Sequence, residues 1–272
     1  MSIIDELFGK PKALVAMAHL PALPGFPLYD EAKGMTGIID AVAADVDILR
    51  SSGLDGILFC NENDRPYSTN ATHEGVAAMT RVVTEVSKEL DIPFGVDVLW
   101  DPCAAIAIAH ATGASFVREV FTGVYAGEFG LWNTDANAAL KLRRSIGATN
   151  IKCFFNITAE FAAPIAPREI GRVAHSAVFS SLADGILVGG SATGVAANLK
   201  DVETVKDAIP TTPVFVNTGV RASTVADVLT AADGALVGSS LKRDGDTWNA
   251  VDPDRVAEFV KAATGDLWQP RR

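Results

Sequence analysis

The sequence contains little cysteine and little positive charge, and each shortage excludes a class of protein. Its three cysteines, Cys60, Cys103 and Cys153, are far apart and lie in apolar segments, which is typical of reduced thiols rather than of disulfides or a zinc site. Lys and Arg total 23 against 33 Asp and Glu, and the formal net charge is −10. Because phosphate backbones require clustered cations, we expect no nucleic-acid partner.

A long apolar run and a targeting signal are also missing. Hydrophobic residues make up 49% of the chain, yet charged residues, Gly or Pro interrupt each apolar stretch well before the length of a bilayer span. We therefore expect no membrane insertion. The first ten residues contain Asp5 and Glu6 and have neither the basic start nor the apolar core of a secretory signal. These absences predict a soluble, cytoplasmic protein.

Three well-known binding and catalytic motifs are absent. No Gly-x-Gly-x-x-Gly turn follows the first apolar run, which disfavours an open dinucleotide-binding sheet. No Gly-x-x-x-x-Gly-Lys-Ser/Thr loop is present to cradle nucleotide phosphates, and no Gly-x-Ser-x-Gly elbow supports covalent hydrolysis. Nucleotide hydrolysis and nucleophilic catalysis by serine therefore lack a local signature.

Short β-branched runs alternate with Ala-rich helical stretches along the chain, which predicts repeated βα units and a parallel sheet. Eight strands are predicted: Ala13–Ala18, Gly56–Cys60, Phe94–Leu99, Phe116–Phe121, Ile151–Asn156, Gly185–Val188, Val214–Asn217 and Ala235–Gly238. Eight helical patterns follow them, at Met35–Ser52, His73–Leu90, Pro102–Ala111, Asp135–Ile146, Pro167–Ser181, Leu199–Ala208, Arg221–Ala231 and Pro253–Ala263. We predict one α/β domain over residues 1–272, a (β/α)8 TIM barrel with a short N-terminal extension.

Two strand-and-loop units near the C-terminus, PVFVNTGV and DGALVGSSLK, each predict a buried strand that opens into a Gly-rich turn. In a (β/α)8 barrel the loops after the seventh and eighth strands commonly bind phosphate, so we expect a phosphorylated small-molecule ligand. Lys242 and Arg243 either neutralise this phosphate or are solvated loop charges. The predicted phosphate-binding residues are Gly189, Gly190, Ser191, Thr218, Gly219, Gly238, Ser239 and Ser240.

Polar side chains at the carboxyl ends of barrel strands converge on one mouth, so they are the candidates for chemistry. The candidate catalytic residues are His19, Glu62, Asp97, Arg118 and Glu119, and the candidate substrate-binding residues are Asn61, Asn63, Trp100, Asn156 and Asn217. Asp97 stands out because an acidic residue inside a run fit for burial costs free energy unless it is paired. Four of these residues, His19, Glu62, Asp97 and Glu119, also suit a divalent metal such as Mg, Mn or Zn. No cofactor is certain.

Several strand-end strings, MAHLPALPG, LDGILFCNENDRPY, IPFGVDVLWDP, FVREVFTGVYAGEFGLW, VFVNTGV and LKRDGDTWNAVD, together resemble the BtpA/SgcQ family over nearly the whole chain, the SgcQ branch more closely. This resemblance implies a ribulose-phosphate-binding barrel. Relatives are associated with photosystem I accumulation, with sugar-phosphate genes and with a nucleoside triphosphatase label. The shared motifs implicate His19, Glu62, Asn63, Arg118 and Gly219. Asp97 stands where relatives have Asn, and Glu119 departs from the photosystem branch.

The leading hypothesis is an enzyme acting on a phosphorylated sugar or nucleoside, by isomerase, epimerase or lyase chemistry. Asp97 or Glu62 would act as the general base and His19 would polarise or protonate the reacting oxygen. The alternatives are a non-catalytic assembly or regulatory protein, as in photosystem I biogenesis, and a metal-dependent nucleotide phosphohydrolase. The apolar pattern of Pro102–Ala111 favours a homo-oligomer, although a core-facing helix has the same pattern.

Overall fold

The computed structural model describes residues 2–271 and contains a closed barrel of eight parallel strands with a small antiparallel sheet above it. The strands are β1 (Ala13–His19), β2 (Gly56–Cys60), β3 (Phe94–Asp97), β4 (Phe116–Glu119), β5 (Val124–Gly127), β6 (Gly130–Asn133), β7 (Lys152–Asn156), β8 (Ala162–Pro164), β9 (Gly185–Val188), β10 (Val214–Val216) and β11 (Gly234–Val237). The barrel order is β1-β2-β3-β4-β7-β9-β10-β11, and β11 pairs with β1 to close it. The predicted TIM barrel is confirmed, and its strand ends differ from the prediction by one or two residues.

Helices connect the strands and cover the outside of the barrel. They are α1 (Ile3–Phe8), α2 (Gly34–Arg50), α3 (His73–Val86), α4 (Pro102–Thr112), α5 (Ala136–Ser145), α6 (Ile170–Phe179), α7 (Leu199–Ala208), α8 (Val225–Ala231) and α9 (Pro253–Ala263). The eight predicted helices are present, but α3, α6 and α8 are each shorter than their patterns by four or five residues. No helix between residues 2 and 271 is both long and apolar enough to cross a membrane.

The N-terminal extension forms α1, a helix that the sequence pattern did not reveal. Its Ser2 cap accepts a hydrogen bond from the Asp5 backbone at 3.1 Å, which satisfies a donor of the first turn. Phe8 packs edge-on against Phe116 at 5.8 Å between ring centroids, at the amino end of the barrel. Lys152, at the start of β7, forms an ion pair with Glu6 at 2.9 Å. The extension thus closes the end of the barrel opposite the strand carboxyl ends.

The segment Thr122–Thr134, which lies between a predicted strand and a predicted helix and is assigned to neither, contains the hairpin β5–β6. β8 pairs antiparallel with β5 and completes a three-stranded sheet. Trp132 from β6 is buried and packs at 5.1 Å from the ring of Trp100, which follows β3. This contact fixes the accessory sheet to the barrel mouth, where it adds an aromatic wall.

Helix α4 buries its apolar residues within the chain. Asp101 is its N-cap and accepts a hydrogen bond from the Ala104 backbone at 3.0 Å, with Pro102 at the first helical position. Ile106 and Ile108 are both buried. The CAAIAIAHA pattern therefore reflects a core-facing helix that offers no large exposed apolar side chain. Homo-oligomerisation stays a prediction.

Candidate functional site

A cavity of about 770 Å³ opens at the carboxyl ends of the barrel strands. This is the end at which TIM barrels bind ligands, because eight loops of different sequence meet there on a rigid sheet. Strand β1 contributes His19 to its wall, β4 contributes Arg118, and the chain after β2 contributes Glu62. The loops after β10 and β11 form the opposite wall. A cavity of this size is large enough for a metabolite-sized ligand.

Arg118 occupies the floor of the cavity between two buried carboxylates. Its Nη1 donates to Asp97 Oδ2 at 2.6 Å and its Nη2 donates to Glu160 Oε1 at 2.6 Å. Glu160 also accepts hydrogen bonds from Asn156 and Asn217, both at 2.8 Å. The side chain of Glu160, which lies in the loop after β7, therefore connects residues of β4, β7 and the end of β10. Burial alone would destabilise these charges, but the pairing and the amide donors offset the desolvation cost.

Asp97 and Glu119 lie behind this floor and do not line the cavity. Asp97 Oδ1 and Glu119 Oε1 are both buried and have no hydrogen-bond partner in the described chain while both groups are ionised. Burial, the Asp97 charge and a hydrogen bond to Asp97 raise the pKa of Glu119 well above its usual range. In its protonated form Glu119 donates a hydrogen bond to Asp97.

Glu62 lines the cavity and is buried. Its Oε1 accepts a hydrogen bond from Thr193 Oγ1 at 3.0 Å, and the Tyr67 hydroxyl lies at 3.4 Å from the same oxygen. Burial raises the pKa of Glu62, while the Thr193 hydroxyl and the Arg118 charge oppose that rise. A carboxyl with a raised pKa in a cavity can take and return a proton near neutral pH.

His19 is a neutral imidazole in this structure. Burial, together with the nearby charges of Lys242 and Arg118, lowers its pKa to about 3. Its Nδ1 is buried without a hydrogen-bond partner among residues 2–271. A neutral imidazole is a hydrogen-bond donor rather than a strong acid, so His19 can polarise an oxygen but does not supply an acidic proton at neutral pH.

The wall formed by the loops after β10 and β11 is rich in hydrogen-bond donors. Within residues 2–271 the backbone N–H groups of Gly219, Val220 and Gly238 donate to no protein acceptor, and all three residues line the cavity. Arg221 is exposed and Arg255 is half-buried on the same wall. Free N–H groups beside guanidinium groups form a site for an anion.

The structure brings only part of the candidate set together around this cavity. The residues that line it are His19, Glu62, Trp100, Arg118, Asn217, Thr218, Gly219, Gly238, Ser239 and Ser240. The residues that do not are Asn61, Asn63, Asp97, Glu119, Asn156, Gly189, Gly190 and Ser191. The last three line a separate apolar cavity of about 730 Å³ beside the accessory sheet. Asn61 and Asn63 bond to the chain instead, at Asp64 and at the Leu20 carbonyl.

Lys242 fits neither of the two alternatives drawn from the sequence. It is buried outside the cavity wall and forms an ion pair with Asp45 of α2 at 2.8 Å. Arg243 is exposed and does not line the cavity. Trp248, in the chain after β11, lies under the Arg65 guanidinium, whose central carbon is 3.5 Å from the ring centroid. These three side chains stabilise loops or contact solvent.

The suggested metal site is not assembled in the described part of the chain. No group of three or more His, Cys, Asp or Glu side chains within residues 2–271 is arranged to hold an ion. Asp97 is paired with Arg118, and Glu119 lies behind Asp97. Of the four suggested ligands, only His19 and Glu62 face the cavity.

The cavity is also lined by residues that sequence reasoning did not select, among them Glu160, Phe161, Thr193, Arg221 and Arg255. Glu160 and Phe161 follow the fifth barrel strand, so a wider window at each strand end would have included them. Phe161 has a φ of +59°, a conformation that bulky residues rarely adopt and that clusters at binding sites. Arg255 lies in a helix and carries no local signal.

Known proteins resemble this chain over most of its length. The SgcQ protein of the sgc region of Escherichia coli (strain K12) is 40% identical over 261 residues, which covers 96% of this chain and 97% of that protein. The photosystem I biogenesis protein BtpA of Synechocystis sp. is 32% identical over 265 residues, covering 96% and 91%.

Solved structures show the same fold at low identity. The thiamine phosphate pyrophosphorylase of Pyrococcus furiosus has a TM-score of 0.58 at 14% identity and covers 93% of this chain and 96% of that chain. CdNal of Clostridium difficile, solved with mannosamine, has a TM-score of 0.54 at 10% identity, covering 93% and 73%. At such identities the likeness shows the barrel alone. The model of the BtpA family matches residues 10–265, and the chain therefore belongs to the BtpA family.

Proposed function

We propose that this barrel is an enzyme that acts on a phosphorylated sugar or nucleoside, by isomerase, epimerase or lyase chemistry. The main support for the proposal is that the two ends of the cavity differ in chemistry: one end can bind an anion and the other holds acid–base groups. Free N–H groups and arginines line the wall after β10 and β11, and Glu62, Arg118 and Glu160 lie at the barrel centre. A ligand with a phosphate at one end and a reactive carbon at the other matches this division.

Glu62 is the proposed acid and base. Of the two carboxylates considered from the sequence, Asp97 is held by Arg118 at 2.6 Å and does not line the cavity, whereas Glu62 does. In its ionised form Glu62 removes a proton from the carbon beside a carbonyl, and in its protonated form it returns that proton to a neighbouring atom. Burial raises the pKa of Glu62, which makes its carboxyl a stronger base than an exposed glutamate.

Arg118 and His19 are the proposed stabilisers of the negative charge that develops on the carbonyl oxygen. Arg118 is fixed by Asp97 and Glu160, so it needs no reorganisation during the reaction. His19, neutral because burial lowers its pKa to about 3, donates a hydrogen bond to the same oxygen. Return of the proton by Glu62 to the adjacent carbon, while the hydroxyl proton of that carbon passes to the former carbonyl oxygen, gives an isomer. An epimer requires a proton from a second donor on the opposite face of the intermediate.

Ligand binding is the first test. A thermal-shift panel of pentose, hexose and nucleoside phosphates should contain a compound that, at about a hundred times its dissociation constant, stabilises the protein by about 2.7 kcal/mol. Arg221→Gln should weaken binding of that compound, because Arg221 lines the cavity beside the proposed phosphate site and its side chain bonds to no other residue among 2–271. Arg172→Gln, an exposed arginine on α6 outside the cavity, is the matched control. Equal binding by both variants would remove Arg221 from the phosphate site.

Exchange with solvent tests the chemistry. A bound sugar phosphate incubated in D₂O should acquire deuterium at the carbon beside the carbonyl, detected as loss of its proton NMR signal. Glu62→Gln should slow this exchange by roughly 100-fold or more while leaving ligand binding in place. Glu203→Gln, an exposed glutamate on α7, is the control. A panel in which no phosphate binds and no proton exchanges would refute the enzyme proposal.

A further inference from the structure

The chain after β9 forms a flap, Ser191–Ala196, that reaches across the edge of the cavity. Thr193, Gly194 and Val195 line the cavity wall. Thr193 Oγ1 donates a hydrogen bond to Glu62 Oε1 at 3.0 Å, although the two residues are 131 positions apart in the chain. The flap therefore makes direct contact with the carboxylate proposed to move the proton.

Four contacts hold the flap against the barrel. Thr218 Oγ1 donates to the Val195 carbonyl at 2.7 Å, and the Phe161 backbone donates to the Ser191 carbonyl at 3.1 Å. Gly190 and Gly219 provide the other two, because a Cβ at either position would overlap the backbone of Val195 or Ala196. Gly219 also has a φ of +68°, which favours glycine. These two glycines are thus required by the chain's own flap.

Thr193 is the neighbour of Glu62 that a movement of the flap would remove. The other titratable or charged groups near Glu62 belong to the barrel and its strand ends: Cys60, Tyr67, Asp97, Arg118 and Glu160. Cys60 Sγ is 3.6 Å from Glu62 Oε2. A donated hydroxyl stabilises an ionised carboxylate more than a protonated one, whereas burial does the opposite. Loss of the Thr193 contact would therefore favour the protonated form of Glu62.

We propose that Thr193 is a positioning residue that keeps Glu62 ionised while the flap is closed, so that flap closure prepares the general base. The functional meaning of this contact rests on the proton-transfer role proposed for Glu62. The flap packs closely against Gly219, and the backbone of Gly219 also faces the proposed phosphate site. A phosphate bound there orders the same loop and favours the closed flap, which couples ligand binding to the state of the base.

Titration of Glu62 tests the contact without any substrate. In protein with ¹³C-labelled glutamate carboxyls, Glu62→Gln identifies the Glu62 signal by its absence. Thr193→Val should raise the titration midpoint of Glu62 by about one pH unit, the equivalent of one charge-assisted hydrogen bond. Thr193→Ser keeps the hydroxyl and should titrate like the wild type. An unchanged midpoint in Thr193→Val, or an equal shift in both variants, would overturn the proposal.

A second experiment displaces the flap at Val195 and Ala196, away from Thr193, and measures the effect on Glu62. Gly219→Ala should speed amide hydrogen exchange in residues 191–196 and should raise the Glu62 midpoint although Thr193 is intact. Gly265→Ala is the control, because a Cβ there meets no atom within 4 Å. Faster exchange without a change in the Glu62 midpoint would show that flap and carboxylate are independent. Both experiments measure the titration midpoint of Glu62 without a substrate. Failure of the sugar-phosphate assays would therefore refute the enzyme proposal without contradicting the effect of Thr193 on Glu62.

Discussion

Replacing Arg118 with methionine should cost more stability than any surface change. Methionine fills the space of the arginine stem but carries no charge. Arg118 pairs with Asp97 and Glu160 at 2.6 Å each, and it is almost fully buried. The variant leaves two buried carboxylates facing each other without a cation. Removing one partner of a buried ion pair costs about 3–5 kcal/mol, which corresponds to roughly 6–10 °C in melting temperature for a chain of this size.

The loss should depend on pH in a direction that the structure specifies. Burial raises the pKa of Glu160, and Arg118 opposes that rise, so the pKa climbs further in the variant. Below about pH 4.3, the ordinary value for Glu, the group is protonated in both folded and unfolded chains and the penalty is absent. As the pH increases past that value the unfolded chain releases its proton first, and the folded state loses stability relative to it.

Urea-induced unfolding of wild type and Arg118→Met between pH 4 and pH 8 measures this difference. The stability gap should be larger at pH 7 than at pH 4. Arg81→Met is the control, because the Arg81–Glu85 pair is exposed at 3.2 Å and such pairs contribute less than about 1 kcal/mol. If the stability loss of Arg118→Met is no larger than that of Arg81→Met, or if it decreases as the pH rises, Arg118 does not neutralise the buried carboxylates.

Three other changes have defined outcomes. Lys242→Met leaves Asp45 buried and unpaired, so denaturant unfolding should show a loss of about 3–5 kcal/mol while sugar-phosphate binding persists in the folded variant. Phe8→Ala removes a buried ring from the amino end of the barrel and should cost about 3–5 kcal/mol by the same measurement; a loss below 1 kcal/mol would contradict the role of α1 in closing that end. Asp101→Ala removes the hydrogen bonds that the carboxylate accepts from the Ala104 and Ala71 backbones, so it should cost at least about 1 kcal/mol, and an unchanged melting temperature would contradict this expectation.

The barrel could be predicted because its signals are local. Each strand is a short apolar run between Gly, Pro or polar residues, and each helix has its own period, so eight units could be counted without any tertiary contact. The accessory sheet has no such signal. Its strands have three or four residues each, and β5 pairs with β8 across the whole of α5 and β7. Pairing between segments that are far apart in sequence is decided by the fold around them.

The candidate site was predictable only where a residue ends a barrel strand. His19, Arg118 and Asn217 lie at or next to strand ends, and the cavity has all three in its wall. The same rule selected Asp97, which pairs with Arg118 behind the wall. The strand-end rule did not select Glu160, because Glu160 lies four residues beyond Asn156, the last residue of its strand. Alternation along a strand shows which face a side chain takes, but it does not show which neighbour neutralises its charge.

The eightfold βα repeat, the acidic net charge and the family to which the chain belongs can all be read from the amino-acid sequence. The pairing of Lys242 with Asp45, the packing of Gly219 against the flap and the contact of Glu160 with Arg118 became known from the folded barrel. The two groups of features differ because the interactions behind them act over different distances along the chain. Hydrophobic periodicity and turn chemistry act between near neighbours in the chain. Buried charge pairing and backbone contact act between residues that become neighbours only when the barrel closes.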